Sequence, residues 1–270
     1  MPAAVDFDLL QISTPFRMQP GLRRLQPGDG QLTPLAAGSA LHEEKRRVVD
    51  AGQSRLVVPG FDPAPALAAI AERAAAEGVA FPAGGGIELA FEEDFAVLDG
   101  ATGTLPFLCV CVPSHWAPEE KLGLDFTAVH VPVADNTTLL AAAGHLVRLA
   151  TSGERWARNV WTITPSGRYD QHPRRHAREP WPAADDTEAF ARACWLRAER
   201  QTFFPVRHGT RQSVFTIRVM LQPLLEAVDS PEKAQRLRDA LASMTDAVLA
   251  YKGLAAARDP LLRWLEGRCA

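Results

Sequence analysis

The sequence predicts an α+β fold: an antiparallel sheet with packed helices, an N-terminal wrap and C-terminal helices. Two runs of β-type composition, IELAFEEDFAVLDG and LPFLCVCVP, are joined through the turn-like DGATG, which is a hairpin signal. Three further strand-like segments follow a helical stretch, and they read RNVWTIT, WLRAERQTFF and SVFTIRVML. Two strands, then helices, then three strands indicate one sheet in one integrated domain.

The composition is that of an ordinary globular protein. The 270 residues are 47% hydrophobic and 23% charged, with a formal net charge of −3. Because this balance gives no basic field, we expect neither nucleic acid nor a membrane surface as a partner, and small neutral or cationic ligands suit it better. The start, MPAAVDFDLL, lacks a signal-peptide pattern, and no stretch approaches a membrane span, so a cytoplasmic location is expected.

Residue composition divides the chain into three regions. Residues 1–60 are rich in proline, glycine and short polar runs, and they predict an irregular N-terminal wrap. Residues 61–222 form the predicted core, which opens with a helix capped by Asp62 and Pro63 and ended by Gly78. Residues 223–270 predict the C-terminal helices.

Further helices are expected on both sides of the last three strands. Residues 137–152 predict a helix with one apolar face, and His145 lies off that face and is expected to be exposed. In the C-terminal region, one helix is predicted from Ser230 to near Gly253 and another from Asp259.

Several common site types have no sequence support. GxSxG, HExxH, P-loop and GxGxxG patterns do not occur, which disfavours hydrolase, NTPase and dinucleotide-binding functions. His172 and His176 have helical spacing, but Pro173 between them disfavours a helix and therefore a zinc site. Cys109 and Cys111 are separated by one residue and would share one face of a strand, a spacing that suits packing.

His130 stands among valines in VHVPV and is the first candidate metal ligand. If the segment is extended, the valines share one face and His130 points to the other, and Pro132 favours extended chain before it. A neutral imidazole on a stiff backbone is a suitable axial ligand for iron. The alternative is a core histidine bonded to a carbonyl group.

His115 and Trp116 are predicted to end a strand at a sheet edge, where residues that contact a ligand often lie. The alternative for this pair is an aromatic residue that closes the core. Lys121 follows two glutamates and lies either in a solvated helical turn or within reach of a carboxylate.

Arginines on the last two strands need partners. Arg197, Arg200 and Arg218 lie in strand-like segments, and Arg218 points away from the apolar Phe215 and Ile217. An unpaired buried guanidinium is costly, so each requires a protein carboxylate or the carboxylate of a ligand.

An ordered set of motifs covers nearly the whole chain: PFRMQPGLRRL, FEEDFAVL, PSHWAPEEKLG, VHVPV, RNVWTIT and ERQTF followed by SVFTIR. Together they resemble the family of the haem-dependent oxidative N-demethylase α subunit, which has a PAS-like fold. Two stretches differ from the family pattern. Asn159, Val160 and Trp161 replace an Asn-Trp pair, and FFPVRHGTRQ replaces a Leu-Pro turn and introduces His208.

The resemblance implies a b-type haem in the PAS-like core, dioxygen activation and oxidative demethylation of a small N-methylated amine. Within this resemblance, chemistry and motif position favour His130 as the axial metal ligand, with His115 as runner-up. His115 and Trp116 are the candidate catalytic residues, with Trp116 in the pocket wall. Arg200, Arg218 and Lys121 become candidate cofactor contacts. Because no flavin, iron–sulfur or nicotinamide motif occurs, electrons are expected from separate reductase subunits.

Two other functions remain open from the sequence. The first alternative is a haem-binding or haem-free PAS-like sensor or ligand-binding protein without turnover. The second is a structural relative that has lost its cofactor.

Overall fold

A computed structural model describes residues 6–81, 86–207 and 210–269. The strands are β1 (Arg23–Arg24), β2 (Arg55–Val57), β3 (Glu93–Asp99), β4 (Phe107–Cys109), β5 (Trp156–Thr164), β6 (Trp195–Pro205) and β7 (Gln212–Pro223). They form one sheet in the order β1-β5-β6-β7-β3-β4-β2, with every neighbouring pair antiparallel. The predicted α+β class is therefore confirmed, and the sheet is consistent with a PAS-like fold.

Helices surround this sheet. They are α1 (Ala40–Asp50), α2 (Ala64–Ala76), α3 (Ile87–Ala90), α4 (Phe126–His130), α5 (Thr137–Ala141), α6 (Ala143–Ala150), α7 (Thr187–Arg192), α8 (Leu224–Ala227), α9 (Pro231–Ala242), α10 (Asp246–Lys252) and α11 (Arg258–Glu266). Short 3₁₀ turns occur at Leu9–Gln11 and Pro118–Glu120. None of the helices in the described ranges is long and apolar enough to cross a membrane.

The predicted hairpin joins β3 to β4. Phe95 pairs with Cys109, and the turn is fixed by Asp99, whose Oδ1 accepts hydrogen bonds from the amides of Ala101 and Thr102, both at 2.9 Å. The helix expected after Asp62 is present as α2 and begins one residue later than predicted, with Pro63 at the N-cap position; Asp62 Oδ1 accepts a bond from the amide of Ala64. Local turn and cap signals therefore predicted these elements well.

The sheet has two faces of different character, named here from the register of β5, β6 and β7. Face A comprises Arg158, Val160, Arg197, Glu199, Gln201, Phe203, Phe215, Ile217 and Val219. Face B comprises Asn159, Trp161, Ile163, Leu196, Ala198, Arg200, Thr202, Arg218 and Met220. Trp161, Leu196 and Met220 of face B join a core with the buried leucines of α9 and α11, so the C-terminal helices cover that side.

The first 60 residues are more regular than predicted. Helix α1 begins after Ser39, whose Oγ accepts a hydrogen bond from the amide of His42, and it buries Leu41 and Val48 beside face A. Within this region, β1 and β2 occupy the two edges of the sheet. The polar HEEKRR run concealed the buried face of α1 because one of its charged residues, Lys45, is itself buried there between Leu41 and Val48.

Three other element predictions were wrong in part. The helix expected over residues 137–152 is divided into α5 and α6. Residues 87–90 form α3 and not the start of a strand, because Glu88 is buried there and pairs with the guanidinium of Arg55 at 2.8 Å. The helix expected from Ser230 to Gly253 is divided into α9 and α10. Thr245 Oγ1 accepts a bond from the amide of Val248 and so caps a new helix.

Candidate functional site

His130 lies at the end of a short helix and not in extended chain. Asp125 is the N-cap of α4, and its Oδ1 accepts a hydrogen bond from the amide of Ala128 at 2.8 Å. Pro132 follows the helix, where its missing amide hydrogen costs no intrahelical bond. The valine-rich pattern predicted extended backbone, but the cap and the packing of this segment favour a helical turn.

The imidazole of His130 has one nitrogen engaged and one free. Its Nδ1 lies 2.7 Å from the carbonyl oxygen of Phe126, so Nδ1 carries the hydrogen and donates it. The ring also stacks on Phe126 with centroids 4.1 Å apart. Nε2 forms no hydrogen bond with any residue that the structure describes. His130 therefore has a fixed tautomer and an available Nε2 lone pair.

The surroundings keep His130 neutral. Loss of solvent contact lowers the pKa of His130 to about 4, and the positive charges of Arg158 and Lys121 also lower it. The hydrogen bond to Phe126 acts in the opposite direction. Lys121 approaches α4 from the preceding turn, with Nζ 3.4 Å from the carbonyl oxygen of Val129. His130 is consequently a neutral imidazole, and Arg158 on face A is one of the charges near it.

Arg197 holds the segment that carries His115 and Trp116. Its buried guanidinium donates to Ser114 Oγ at 2.8 Å and to the carbonyl oxygens of Tyr169 and Val112 at 2.9 and 3.2 Å. Burial lowers the pKa of Arg197 to about 10, so it remains charged at neutral pH. These bonds fix residues 112–116 over face A.

Trp116 packs against the apolar part of face A. It contacts clusters that contain Leu108, Val110 and Phe215, which agrees with a role in closing the core. Residues 115 and 116 follow β4 in a loop and do not end the strand as predicted, because β4 stops at Cys109. Trp116 therefore belongs to the wall of face A.

His115 occupies a different position from His130. Its backbone is left-handed, with φ 59°, and its side chain keeps contact with solvent. Partial desolvation lowers its pKa to about 4, with Arg178 and Arg197 adding to the effect. Together with Lys252 and Trp181, it lines a cavity of about 10 Å³. A cavity of this size holds at most one water molecule.

A chain of polar side chains runs along face A. Ser114 donates to Glu199 Oε1, Gln201 Nε2 donates to Glu199 Oε2 at 2.7 Å, and Arg158 Nε donates to Gln201 Oε1 at 2.7 Å. Sequence analysis did not single out this chain, although Arg158 opens RNVWTIT and Glu199 opens ERQTF. Strand alternation was the available signal, but only the β5–β6 register brings Arg158 opposite Gln201.

Arg200 and Arg218 lie on face B. Arg218 Nε donates to Glu92 Oε2 at 2.7 Å, so a protein carboxylate meets the need expected from the sequence. Arg200 donates to the carbonyl oxygen of Gly30 at 2.7 Å and lines a cleft of about 410 Å³ with Asp6 and Lys233. Both are on the opposite side of the sheet from Arg158, and their cofactor role stays a prediction.

The remaining histidines have protein partners or lie elsewhere. His172 Nε2 is 3.0 Å from Glu119, and His176 Nε2 is 3.2 Å from Asp170. His145 is exposed on α6, as predicted, and His208 lies outside the described residues. Over the described ranges, no group of three or more His, Cys, Asp and Glu side chains could hold a metal ion.

A family model described as haem-dependent oxidative N-demethylase, alpha subunit-like, matches residues 87–262. The chain belongs to this family. The matched region contains β3 to β7, α4 and every member of the face A polar chain. The matched region includes His130, whose free Nε2 fits a haem iron. The family's description names its enzymes as haem-dependent.

Proposed function

We propose that this chain binds haem b beside face A, with His130 as the axial ligand, and oxidatively demethylates a small N-methylated amine. Family membership supports the reaction class. The observation that carries the proposal is the state of His130: Nδ1 donates to the carbonyl oxygen of Phe126 at 2.7 Å, and Nε2 has no partner among the described residues. A histidine that holds haem iron requires this division of roles between its nitrogens.

The chain's own residues would bind and enclose the cofactor. His130 supplies the lone pair, Phe126 orients the ring, and Lys121 lies at the same short helix. Phe203 and Phe215 stack with centroids 4.6 Å apart and offer an apolar, half-buried surface on face A. Such a surface suits a flat aromatic macrocycle and excludes water from it.

Bound haem would supply dioxygen activation and oxidation of the N-methyl group, with release of formaldehyde. His115 and Trp116 are proposed to border the substrate, with Trp116 as a wall that limits it to dimethylamine-sized compounds. Holding the methyl group close to the reacting oxygen accounts for a large part of the rate in such a site. His115 is neutral at physiological pH and therefore does not repel an ammonium substrate.

Electrons must come from outside the chain. One oxygen atom of dioxygen ends in water, so each turnover consumes reducing equivalents, and the sequence carries no flavin, iron–sulfur or nicotinamide motif. We therefore propose separate reductase subunits as partners.

Formaldehyde release tests this function. The haem-loaded chain is incubated with dimethylamine and dioxygen, with and without a chemical reductant, and formaldehyde is measured. The reductant should be required, and the His130→Ala variant should be inactive whereas His145→Ala is active. A reduced preparation that binds no small amine, yet changes conformation with carbon monoxide, would contradict the enzyme and favour a sensor.

A further inference from the structure

Arg158 is a half-buried cation whose guanidinium is only partly used. Its Nε donates to Gln201 Oε1 at 2.7 Å, while neither Nη atom has a hydrogen-bond partner among the described residues. No described carboxylate lies within ion-pair distance of it. Loss of solvent contact lowers the pKa of Arg158, yet a guanidinium keeps its charge at neutral pH.

Gln201 separates this cation from the nearest acid. The amide of Gln201 accepts from Arg158 and donates to Glu199 Oε2, and the other Glu199 oxygen accepts from Ser114. Glu199 is thereby occupied, and its charge attracts Arg158 without a hydrogen bond or ion pair between the two side chains. The guanidinium of Arg158 is therefore held in place by Gln201, but no described carboxylate pairs with it.

The two buried arginines of β6 and β7 are satisfied. Arg197 is saturated by Ser114 and backbone carbonyl oxygens, and Arg218 pairs with Glu92. The Nη atoms of Arg158 have no partner and are not among the buried unpartnered atoms of the described residues, so they remain open to an anionic ligand. Arg158 also lies near His130, as its effect on that imidazole indicates.

Resting on the proposed function, we propose that Arg158 binds a propionate carboxylate of the haem that His130 holds, with Gln201 as the residue that positions it. The two free Nη groups offer the parallel donors that a carboxylate accepts. This assigns the propionate contact to face A and not to Arg200 or Arg218 on face B.

Haem affinity with and without free carboxylates tests the assignment. Hemin and hemin dimethyl ester are titrated into the full chain, and both dissociation constants are read from the Soret band. The wild-type chain should prefer hemin by about tenfold or more, the effect of one hydrogen-bonded ion pair. Arg158→Met should bring the ratio close to one, Arg158→Lys should keep part of it, and the control Arg192→Met, at an exposed position on α7, should keep all of it.

A second variant leaves Arg158 unchanged. Gln201→Glu places a carboxylate against the guanidinium and should also reduce the preference for hemin, with the fold checked by circular dichroism. Undiminished preference in both Arg158→Met and Gln201→Glu overturns the assignment while haem binding itself stands. A wild-type chain that binds neither compound contradicts the proposed function and the assignment together.

Discussion

His130 donates its Nδ1 hydrogen to a backbone carbonyl oxygen at 2.7 Å and keeps Nε2 free, whereas the Nδ1 of His42 lies 3.4 Å from the carboxylate of Glu43. Replacing it by alanine removes the coordination bond, so we expect His130→Ala to weaken haem binding by at least about tenfold, or to shift the Soret band. Absorption spectra of haem-loaded variants measure this. His145→Ala, an exposed histidine on α6, should match the wild type. An unchanged spectrum in His130→Ala, together with loss in His115→Ala, would transfer the ligand role to His115.

Glu93 links stability to pH. Its side chain is 1% exposed, Oε2 accepts from the amide of Thr33 at 2.9 Å, and burial raises its pKa to about 7 from 4.5. The folded state therefore binds this proton more tightly than the unfolded chain does. The contribution of Glu93 is present below pH 4.5 and is lost as pH rises through 7.

Glu93→Gln should remove this part of the pH dependence, which amounts to about 1–3 kcal/mol. Urea denaturation at pH 5 and pH 8 measures the free energy of unfolding of both proteins. The wild type should lose more stability than Glu93→Gln between these values, and Glu226→Gln, at an exposed position, should follow the wild type. Equal losses in all three would show that Glu93 does not bind its proton more tightly when folded.

At the scale of elements, α4 carries His130, the proposed axial ligand. A helix of five residues is not stable alone, so it depends on packing and on its N-cap Asp125. Asp125→Ala should cost about 1 kcal/mol of stability and weaken haem binding, while Asp125→Asn retains both.

Asp186 provides the matched control for this prediction. It caps α7, a helix of six residues, by accepting from the amides of Glu188 and Ala189. Asp186→Ala should lower the free energy of unfolding by a similar amount without changing haem affinity. If both alanine variants lose haem affinity equally, α4 has no particular part in binding.

Strand prediction succeeded where residue alternation and turn chemistry agreed. The β3–β4 hairpin and the strands β5, β6 and β7 follow directly from those patterns. The short helices failed because tertiary contacts decide them: buried Glu88 stabilises α3, and Asp125 caps α4 against the β propensity of the neighbouring valines.

The candidate site was predictable in part. His130 followed from its motif, but its orientation depended on α4. Arg158 and Gln201 could not be joined from sequence, because their contact requires the register between two strands 43 residues apart at that point. The sequence indicated that an arginine lies on a strand, but it did not indicate which face of the sheet that arginine occupies.

At the scale of the whole molecule, the two faces of the sheet carry different kinds of side chain. Face B, covered by α9 and α11, holds the main apolar core and the Arg218–Glu92 pair. Face A holds the polar chain that ends at Arg158, with Trp116 in its wall. The division into a wrap at 1–60, a core at 61–222 and helices at 223–270 remains a proposal, and α1 packs on face A as part of the same body.

Titration of the haem-free full chain with hemin tests the central claim most directly. The absorbance at the Soret maximum should rise until one haem is bound per chain, with a spectrum typical of iron held by histidine nitrogen. A chain that gives no Soret shift, or that binds hemin without saturation, would contradict haem binding at His130 and identify this protein as a relative that works without the cofactor.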